Sequence, residues 1–495
     1  MQLQELLKYN KISTKTLNEQ LKNIEIKHIT DNSNNIKPNT LFVAIVGYKV
    51  SGINFVTQAL QQGAVVVVIP EKEKAQFLEY KNIITVEDPR KFFANSIFYF
   101  YKDILPKNIF TVTGTNGKTS TASFVSQILS ALGITNMAIG TLGVTIGEEC
   151  LADTMTTPAT TDLIKYFQIA KKRNINYVVI ESSSHGIEQY RTFGLHFQGV
   201  AFTNLTQDHL DYYHNLANYF QAKLKLFTEY SYDYAVVNTD DTYGKKIQQT
   251  CKNKNIFTYG KSSTDLHIKQ ILPKHSLQTV IITYKNKEYK FTLNLMGEFQ
   301  VYNVLCALTL LLIHGISLDD ILPILPKLVS AAGRMLLFRA PSGGKIFVDY
   351  AHTPDALESV LTVLKKEKPI KLKVLFGCGG NRDVYKRPLM GAIAANLADA
   401  IYVADDNPRF EDPATIRQEI ITGAMQENPK AIIFNIDSRK QAMEQAIREL
   451  QDHEILLIAG RGPEKFHIIK DKKIPLSDIE VVKETINELQ HEIKQ

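Results

Sequence analysis

Cysteine is scarce in this chain. Four residues, Cys150, Cys251, Cys306 and Cys378, are spread over 495. None has the close paired spacing of a zinc site, and they read as reduced cytosolic thiols. The opening Met1-Gln2-Leu3-Gln4-Glu5 lacks the basic start and long apolar core of a signal peptide. No run reaches membrane length: the most apolar long stretch, Val304 to Ile313, is about half of the ~20 residues a spanning helix needs, and fits a buried helix. Basic clusters are absent as well. The 57 Lys and Arg against 51 Asp and Glu give a formal charge of +6, spread along the chain, which points to small anionic ligands rather than nucleic acid. There is no solenoid-type repeat and no low-complexity segment. A soluble cytoplasmic protein is expected, with no membrane and no nucleic-acid partner.

At this length one core is insufficient, and roughly three domains are expected. Residues 1–88 alternate short strands (Leu41–Val46, Ala64–Ile69) with a helical segment around Phe55 to Gln62, a small α/β unit ended by Asp88-Pro89. From 89 to 332, strand-like runs each finish in a polar loop: Thr111–Thr113, Tyr177–Ile180 before Glu181, and Val200–Phe202 before Thr203. Polar chemistry at strand ends is the layout of a doubly wound, mostly parallel sheet of the phosphate-loop type. Lys252 to Leu295 is less regular and reads as added hairpins. Residues 333–495 repeat the layout in a Rossmann-like α/β domain, with strands at Lys373–Phe376, Ala400–Val403 and Ile455–Ile458.

The most informative segment is Gly114-Thr115-Asn116-Gly117-Lys118-Thr119. It follows the apolar run Asn108–Thr113 and precedes a helical pattern carried by Ala122, Val125, Leu129 and Leu132, with Gly133 as a stop. A glycine-rich turn between strand and helix lets backbone N–H groups close around phosphate oxygens. Lys118 is expected to reach the terminal phosphates and Thr119 to hold Mg²⁺. The common phosphate loop has four residues between its first glycine and the Gly-Lys pair; this one has two.

Other polar groups converge on the same strand ends. Glu181, in Glu181-Ser-Ser-Ser-His185-Gly186, offers hard oxygen to a divalent ion, and His209, in Asp208-His209-Leu210-Asp211, is a less usual Mg²⁺ ligand. Each also reads as a helix cap, and His209 as a surface residue. Lys223 and Lys225 lie on an amphipathic helix, where spacing alone makes a lysine a solvated face residue. In the last domain Gly377-Cys-Gly-Gly-Asn-Arg382-Asp383, Asp405-Asp-Asn-Pro-Arg409 and Gly460-Arg-Gly-Pro-Glu464 each follow a strand and should line one crevice. Two guanidiniums and a carboxylate suit an amino acid with an additional negative group. An internal Arg–Glu ion pair would use the same residues.

Taken in order along the chain, these residues resemble the Mur ligases, the ATP-dependent amide-forming enzymes of peptidoglycan precursor synthesis, on which cell-wall formation, cell shape and division depend. The shortened loop Thr113–Thr119 is similar to theirs. So are Thr156-Thr-Pro158, Glu181 with Ser183–Gly186, Thr203-Asn-Leu205, Asp208–Asp211, Gly297–Asn303, Gly333-Arg334 and Asp349–Pro354. Within the family, Phe376–Gly380 and Asp406-Asn-Pro-Arg409 look most like the ligases that add the third residue of the stem peptide, in the form associated with meso-diaminopimelate. Arg409 can pair with the distal carboxylate that lysine lacks.

The resemblance implies roles residue by residue. Gly114, Thr115, Asn116, Gly117, Lys118, Thr119 and Ser120, with Asn303, Arg334 and Asp349, would bind ATP. Lys118, Glu181, His209 and Lys223 would be catalytic, with Thr119, Glu181, His209 and Lys223 holding Mg²⁺, and Lys223 as N6-carboxylysine. Ser33, Tyr48, Lys49 and Val50 would take the uridine end of the nucleotide-linked substrate. Thr156, Thr157, Ser183, Gln189 and Arg191 would take its sugar peptide. Arg382, Asp406, Asn407, Pro408, Arg409, Gly460 and Glu464 would bind diaminopimelate.

Some positions depart from the family pattern: Asn32, Asn34, Ser51 and Met155 near the nucleotide-sugar positions, and Gln300, Arg461 and Pro463 elsewhere. The implied activity joins meso-diaminopimelate to UDP-N-acetylmuramoyl-L-alanyl-D-glutamate with ATP, in a cytoplasmic monomer. A folylpolyglutamate synthetase-like ligase, which should lack the uridine-type domain and Asp-Asn-Pro-Arg, and an ATP-switched binding protein are the alternatives.

Overall fold

The computed structural model describes every residue except Thr16, Asn18, Tyr48, Lys49, Thr264, His275, Ser276 and Gln495. The chain forms two compact units. The first comprises Met1–Thr113, Ile134–Val200 and Ala222–Ala235, the second Gly114–Gly133, Ala201–Gln221 and Val236–Gln495.

In the first unit, four parallel strands, His28–Thr30, Thr40–Val43, Ala64–Pro70 and Ile83–Val86, lie side by side in chain order. Phe42, Val67 and Ile69 bury one face against Val56 and Ala59 of the helix Val56–Gln61. The Asp88-Pro89 pair opens a helix: Asp88 accepts the Arg90 and Lys91 amides above Pro89–Phe100, and proline suits a first turn that needs no donor. Asn108–Thr113, Tyr177–Glu181 and Asn136–Gly140 then pair in parallel, and Gly143–Ile146 and Glu149–Ala152 extend them antiparallel. The inner strands are buried on both faces, which explains their unbroken apolar runs.

In the second unit the helix Lys118–Ala131 buries Ala122, Val125, Ile128 and Leu129 and stops before Gly133, whose φ of +76° closes the end. It packs on Glu298–Ile313, the expected buried helix, in which Val304 to Leu312 are all buried. The expected hairpins appear as three antiparallel strands, Leu266–Lys274, Leu277–Tyr284 and Lys287–Leu293. Among the described residues no helix is long and apolar enough to cross a membrane.

The C-terminal sheet has the strand order Leu336–Arg339, Lys345–Val348, Ile455–Ile458, Leu372–Phe376, Ala400–Val403, Ile433–Asn435, all parallel except the first. Alternation along each strand feeds two cores. Val374 and Phe376 meet Leu357, Leu361 and Met390 on one face, while Leu375 meets Met443 and Ile447 on the other. Four neighbouring parallel strands therefore end on one edge, and the loops beginning at Asp349, Gly377, Ala404 and Ala459 emerge there together. Beneath that edge Arg439 grips Asp478 at 2.7 and 2.9 Å, both side chains fully buried. Removing one partner of a buried pair strands the other's charge. Asp478→Ala is expected to cost about 3–5 kcal/mol, read as a lower denaturation midpoint for the C-terminal helix Asp478–Lys494 and its sheet; an unchanged midpoint would contradict the pairing.

Candidate active site

The phosphate loop is shaped by backbone contacts within the second unit. The Thr115 amide donates to the Asn204 carbonyl at 2.8 Å and the Asn116 amide to Asn204 Oδ1 at 2.9 Å; Thr203 Oγ1 donates to the Asn116 carbonyl at 2.6 Å. Gly117 caps the following helix with φ +87° and no side-chain cap, the geometry in which helix N-termini bind phosphate. Both loop glycines are required sterically. A Cβ on Gly114 would lie 1.9 Å from Thr203 Oγ1, and one on Gly117 2.2 Å from Asn303 Oδ1. Lys118 folds back over the turn, its Nζ donating to the Gly114 and Thr115 carbonyls at 2.9 and 2.7 Å.

The other expected nucleotide residues border this loop. Arg334 donates to Thr119 Oγ1 at 3.0 Å and stacks on the Tyr350 ring at 4.2 Å. Asn303 faces Gly117 and donates to Gln300, one of the departures, at 3.1 Å. Asp349 is buried and accepts the Met335 and Ala351 amides at 2.7 and 2.8 Å; burial raises its pKa despite Arg334 nearby. Three residues not singled out from the sequence join them. Asp355 accepts from Asn116 at 3.2 Å, His352 approaches Asp208 at 3.6 Å, and Lys386 donates to the His352 carbonyl at 2.8 Å. Asp355 and His352 lie in or beside Asp349–Pro354, so the motif was visible although their contacts were not. Burial works against ionisation of Asp208, but His209 and His352 outweigh it and hold the carboxyl well below the usual range. His209 sits at φ +55° before a four-residue helix and makes no side-chain cap bond, so the capping alternative does not apply.

In the first unit Glu181 is buried at its strand end. Its Oε1 accepts the Thr141 amide at 2.9 Å and its Oε2 the Thr141 hydroxyl at 3.2 Å. Ser183, not Glu181, caps the next helix through the Gly186 amide. Thr157 Oγ1 donates to the Glu181 carbonyl at 2.8 Å and accepts the Ser183 amide at 2.9 Å, while Thr156 meets Thr141 at 3.1 Å. Arg191 donates to the Thr157 carbonyl at 2.6 Å and to Gln189 Oε1 at 2.9 Å, and its pKa is lowered, first by burial and then by Arg90. These expected sugar-peptide residues form one connected group. Ser33 lies in a short turn capped by Asn32, Val50 is exposed, and Tyr48 and Lys49 lie outside the described residues.

The helical reading of Lys223 needs correction. It is 1% exposed, not on a solvated face, because its helix Leu216–Thr228 is buried on more than one side: Tyr219, Phe220, Ala222, Leu224, Leu226 and Phe227 are all buried. Lys225 is half-buried with its ammonium 5.7 Å from the Tyr190 ring.

The three C-terminal loops do meet. Asn407 Nδ2 donates to Glu464 Oε2 at 2.9 Å, the Gly380 amide donates to the Asn407 carbonyl at 2.9 Å, and Arg409 NH1 donates to the Gly380 carbonyl at 2.8 Å. Arg409 is thus bonded to backbone oxygen, not to Glu464 in an internal ion pair. Its pKa is lowered first by burial and then by Arg382, with Asp406 and Glu464 acting in the opposite direction. Burial and then Asp406 raise the pKa of Glu464; Asp406 itself is held low because Arg439 and Arg461 outweigh its burial. Pro408 is buried in the turn, and Gly460, at φ +106°, begins the last loop. Arg461, a departure from the family pattern, is buried and donates to the Phe466 and Leu476 carbonyls at 2.9 and 3.0 Å. It supports the loop from below.

Three family descriptions match the chain: Mur ligase family, catalytic domain, over residues 25–101; Mur ligase middle domain over 112–311; and Mur ligase, glutamate ligase domain, over 333–462. The UDP-N-acetylmuramoyl-L-alanyl-D-glutamate–2,6-diaminopimelate ligase of Rickettsia prowazekii is 39% identical, over 98% of this chain and 99% of its own. The enzyme of that name from Aquifex aeolicus is 39% identical over 93% and 94%. A solved structure of a UDP-N-acetylmuramoyl-L-alanyl-D-glutamate–2,6-diaminopimelate ligase aligns with a TM-score of 0.70 at 28% identity, covering 99% of this chain and 100% of that one.

The phosphate loop yields a direct test. Gly117→Ala puts a methyl group 2.2 Å from Asn303 Oδ1 at a φ that side-chain-bearing residues avoid. It is expected to weaken ATP binding at least about tenfold by calorimetric titration, since donor positions must hold to about 0.5 Å. Gly133→Ala, where a Cβ meets nothing within 4 Å, should leave affinity unchanged; equal affinities for both variants would contradict the role of the loop.

Proposed function

The chain belongs to the Mur ligase family, and from that premise we propose that it joins meso-diaminopimelate to the γ-carboxylate of D-glutamate in UDP-N-acetylmuramoyl-L-alanyl-D-glutamate, converting ATP to ADP and phosphate. The observation that carries the choice of amino acid is the meeting of the three C-terminal loops, in which Asn407 bonds Glu464 and Arg409 bonds the Gly380 carbonyl, with the Arg382 charge nearby. A diamino acid with two carboxylates fits: Arg409 and Arg382 take the distal carboxylate, and Glu464 takes an ammonium.

In the reaction, an oxygen of the γ-carboxylate attacks the terminal phosphorus of ATP and the P–O bond to ADP breaks, giving an acyl phosphate. The amine of diaminopimelate, having lost its proton, attacks the acyl carbon, and the tetrahedral intermediate expels phosphate as the amide forms. Loop amides of Gly114 to Thr119 hold the triphosphate, and Lys118 leaves its backbone partners to neutralise the transferring group. As the family resemblance implies, Thr119 and His209 of the second unit are proposed magnesium ligands; Glu181 and Lys223, of the first unit, are proposed for the same role by the same resemblance. Among the described residues no three His, Cys, Asp or Glu side chains are grouped to hold a metal. Magnesium takes few protein oxygens and completes its shell with water and phosphate; a carbamate on buried Lys223 would add a hard oxygen donor. Bound magnesium supplies charge neutralisation of the phosphate oxygens.

Boundaries near residues 88 and 332, a cytoplasmic location and a monomer belong to the same proposal. Assays of phosphate release test it. Release is expected only with the UDP-sugar dipeptide and meso-diaminopimelate both present, and Arg409→Ala should lower kcat/KM for diaminopimelate by roughly 2–4 kcal/mol in transition-state terms, the cost of an unpaired buried carboxylate. Release without either substrate, or an unaffected Arg409→Ala, would contradict it.

A further inference from the structure

Beneath the amino-acid loops lies a buried charge that belongs to none of the motifs. Arg387, in the first turn of the helix Lys386–Leu397, is 1% exposed. Its NH1 donates to Glu419 Oε2 and its NH2 to Glu411 Oε2, both at 2.8 Å, and the Gly379 carbonyl lies 3.4 Å from NH2. Glu411 is the junction. Its second oxygen, Oε1, accepts the Asn381 amide, and its own amide donates to the Pro408 carbonyl at 3.0 Å. Asn381 directly precedes Arg382, and Glu411 stands two residues after Arg409. The Glu411 carboxylate therefore joins the buried guanidinium to the backbone beside Arg382, and the Glu411 backbone amide bonds the turn that carries Arg409.

The two loops have no slack between them. A Cβ on Gly380 would lie 2.0 Å from the Pro408 carbonyl oxygen, and the Phe410 amide donates to Asn381 Oδ1 at 3.1 Å. Arg409 itself sits at φ +52°, a conformation that a residue with a side chain holds only when its surroundings impose it. Its amide donates to the Ile468 carbonyl at 3.1 Å, and its carbonyl accepts the Lys470 amide at 2.7 Å. Stapling two helices would require only Arg387 and Glu419. The additional bonds through Glu411 run toward the loops.

Resting on the diaminopimelate reading above, we propose that Arg387 and Glu411 form a positioning pair that fixes the spacing of Arg382 and Arg409, and so the fit of the crevice to the distal carboxylate of the diamino acid. Steady-state kinetics of the full-length enzyme test this, with KM for meso-diaminopimelate and for ATP measured separately in Glu411→Ala, Glu411→Gln, Arg387→Lys and Arg409→Ala. Glu411→Ala is expected to raise KM for diaminopimelate by about tenfold or more, toward the ~100-fold that a misplacement of about 1 Å can cost, while KM for ATP stays unchanged. Glu411→Gln keeps an oxygen for the Asn381 amide and should recover part of the loss. Should melting show that Glu411→Ala does not fold, Arg387→Lys carries the same expectation, because lysine keeps the charge but cannot bridge two carboxylates and a carbonyl. A merely structural role would lower the melting temperature and the active fraction and leave both KM values alone. An unchanged KM for diaminopimelate in the Glu411 and Arg387 variants, with a raised one in Arg409→Ala, would overturn the positioning pair and leave the site reading standing. No change in any of the four would overturn both.

Discussion

The candidate chemistry depends on how closely one stretch of backbone can approach its neighbours. Between Gly114 and Gly117 the chain must turn so that amides face inward while Thr203 and Asn303 press against it from outside, and neither glycine has room for a Cβ. In the proposed reaction that closeness would fix the backbone donors around a triphosphate, leaving little reorganisation when charge moves to the transferring phosphoryl group. Two residues stand between the glycines instead of the common four, and Thr203 and Asn204 supply hydrogen bonds from outside the turn. Arg334 extends the same framework to Thr119.

Much of this was legible in the sequence for identifiable reasons. The boundaries expected for Asn108–Thr113, Ala400–Val403 and Ile455–Ile458 are the observed ones: Gly114 directly follows the first, and the apolar runs of the other two give way within two residues to Asp405 and Gly460. The strand expected over Leu41–Val46 is shorter, Thr40–Val43, because the chain beyond it turns back on itself, with Val46 bridging to Ser51. The solvated-face reading of Lys223 from spacing alone fails for a physical reason. Periodicity treats lysine as a water-facing residue, and only tertiary packing reveals that its helix is covered on that side too.

Support for the site was harder to read than the site itself. Arg461 looked like a departure in a recognition loop, yet it is buried and bonded to the carbonyls of Phe466 and Leu476. Arg387, Arg439, Glu411 and Asp478 lie in helices or at loop ends where isolated charges ordinarily face solvent, and nothing in their spacing pairs residues 24 or 39 positions apart. Buried charge is costly unless it is paired, so such clusters are weak sources of net stability. Their value here is geometric. They hold the loops that carry the proposed recognition groups.

The central claim is that an acceptor carboxylate takes the terminal phosphoryl group and then gives up one of its own oxygens with the released phosphate. It can be followed with oxygen-18 in the γ-carboxylate of the D-glutamyl residue during turnover with ATP and meso-diaminopimelate. Transfer of one labelled oxygen to the released phosphate, with the amide product retaining the other, is the predicted result. Phosphate free of label, with amide still formed, would contradict activation through an acyl phosphate.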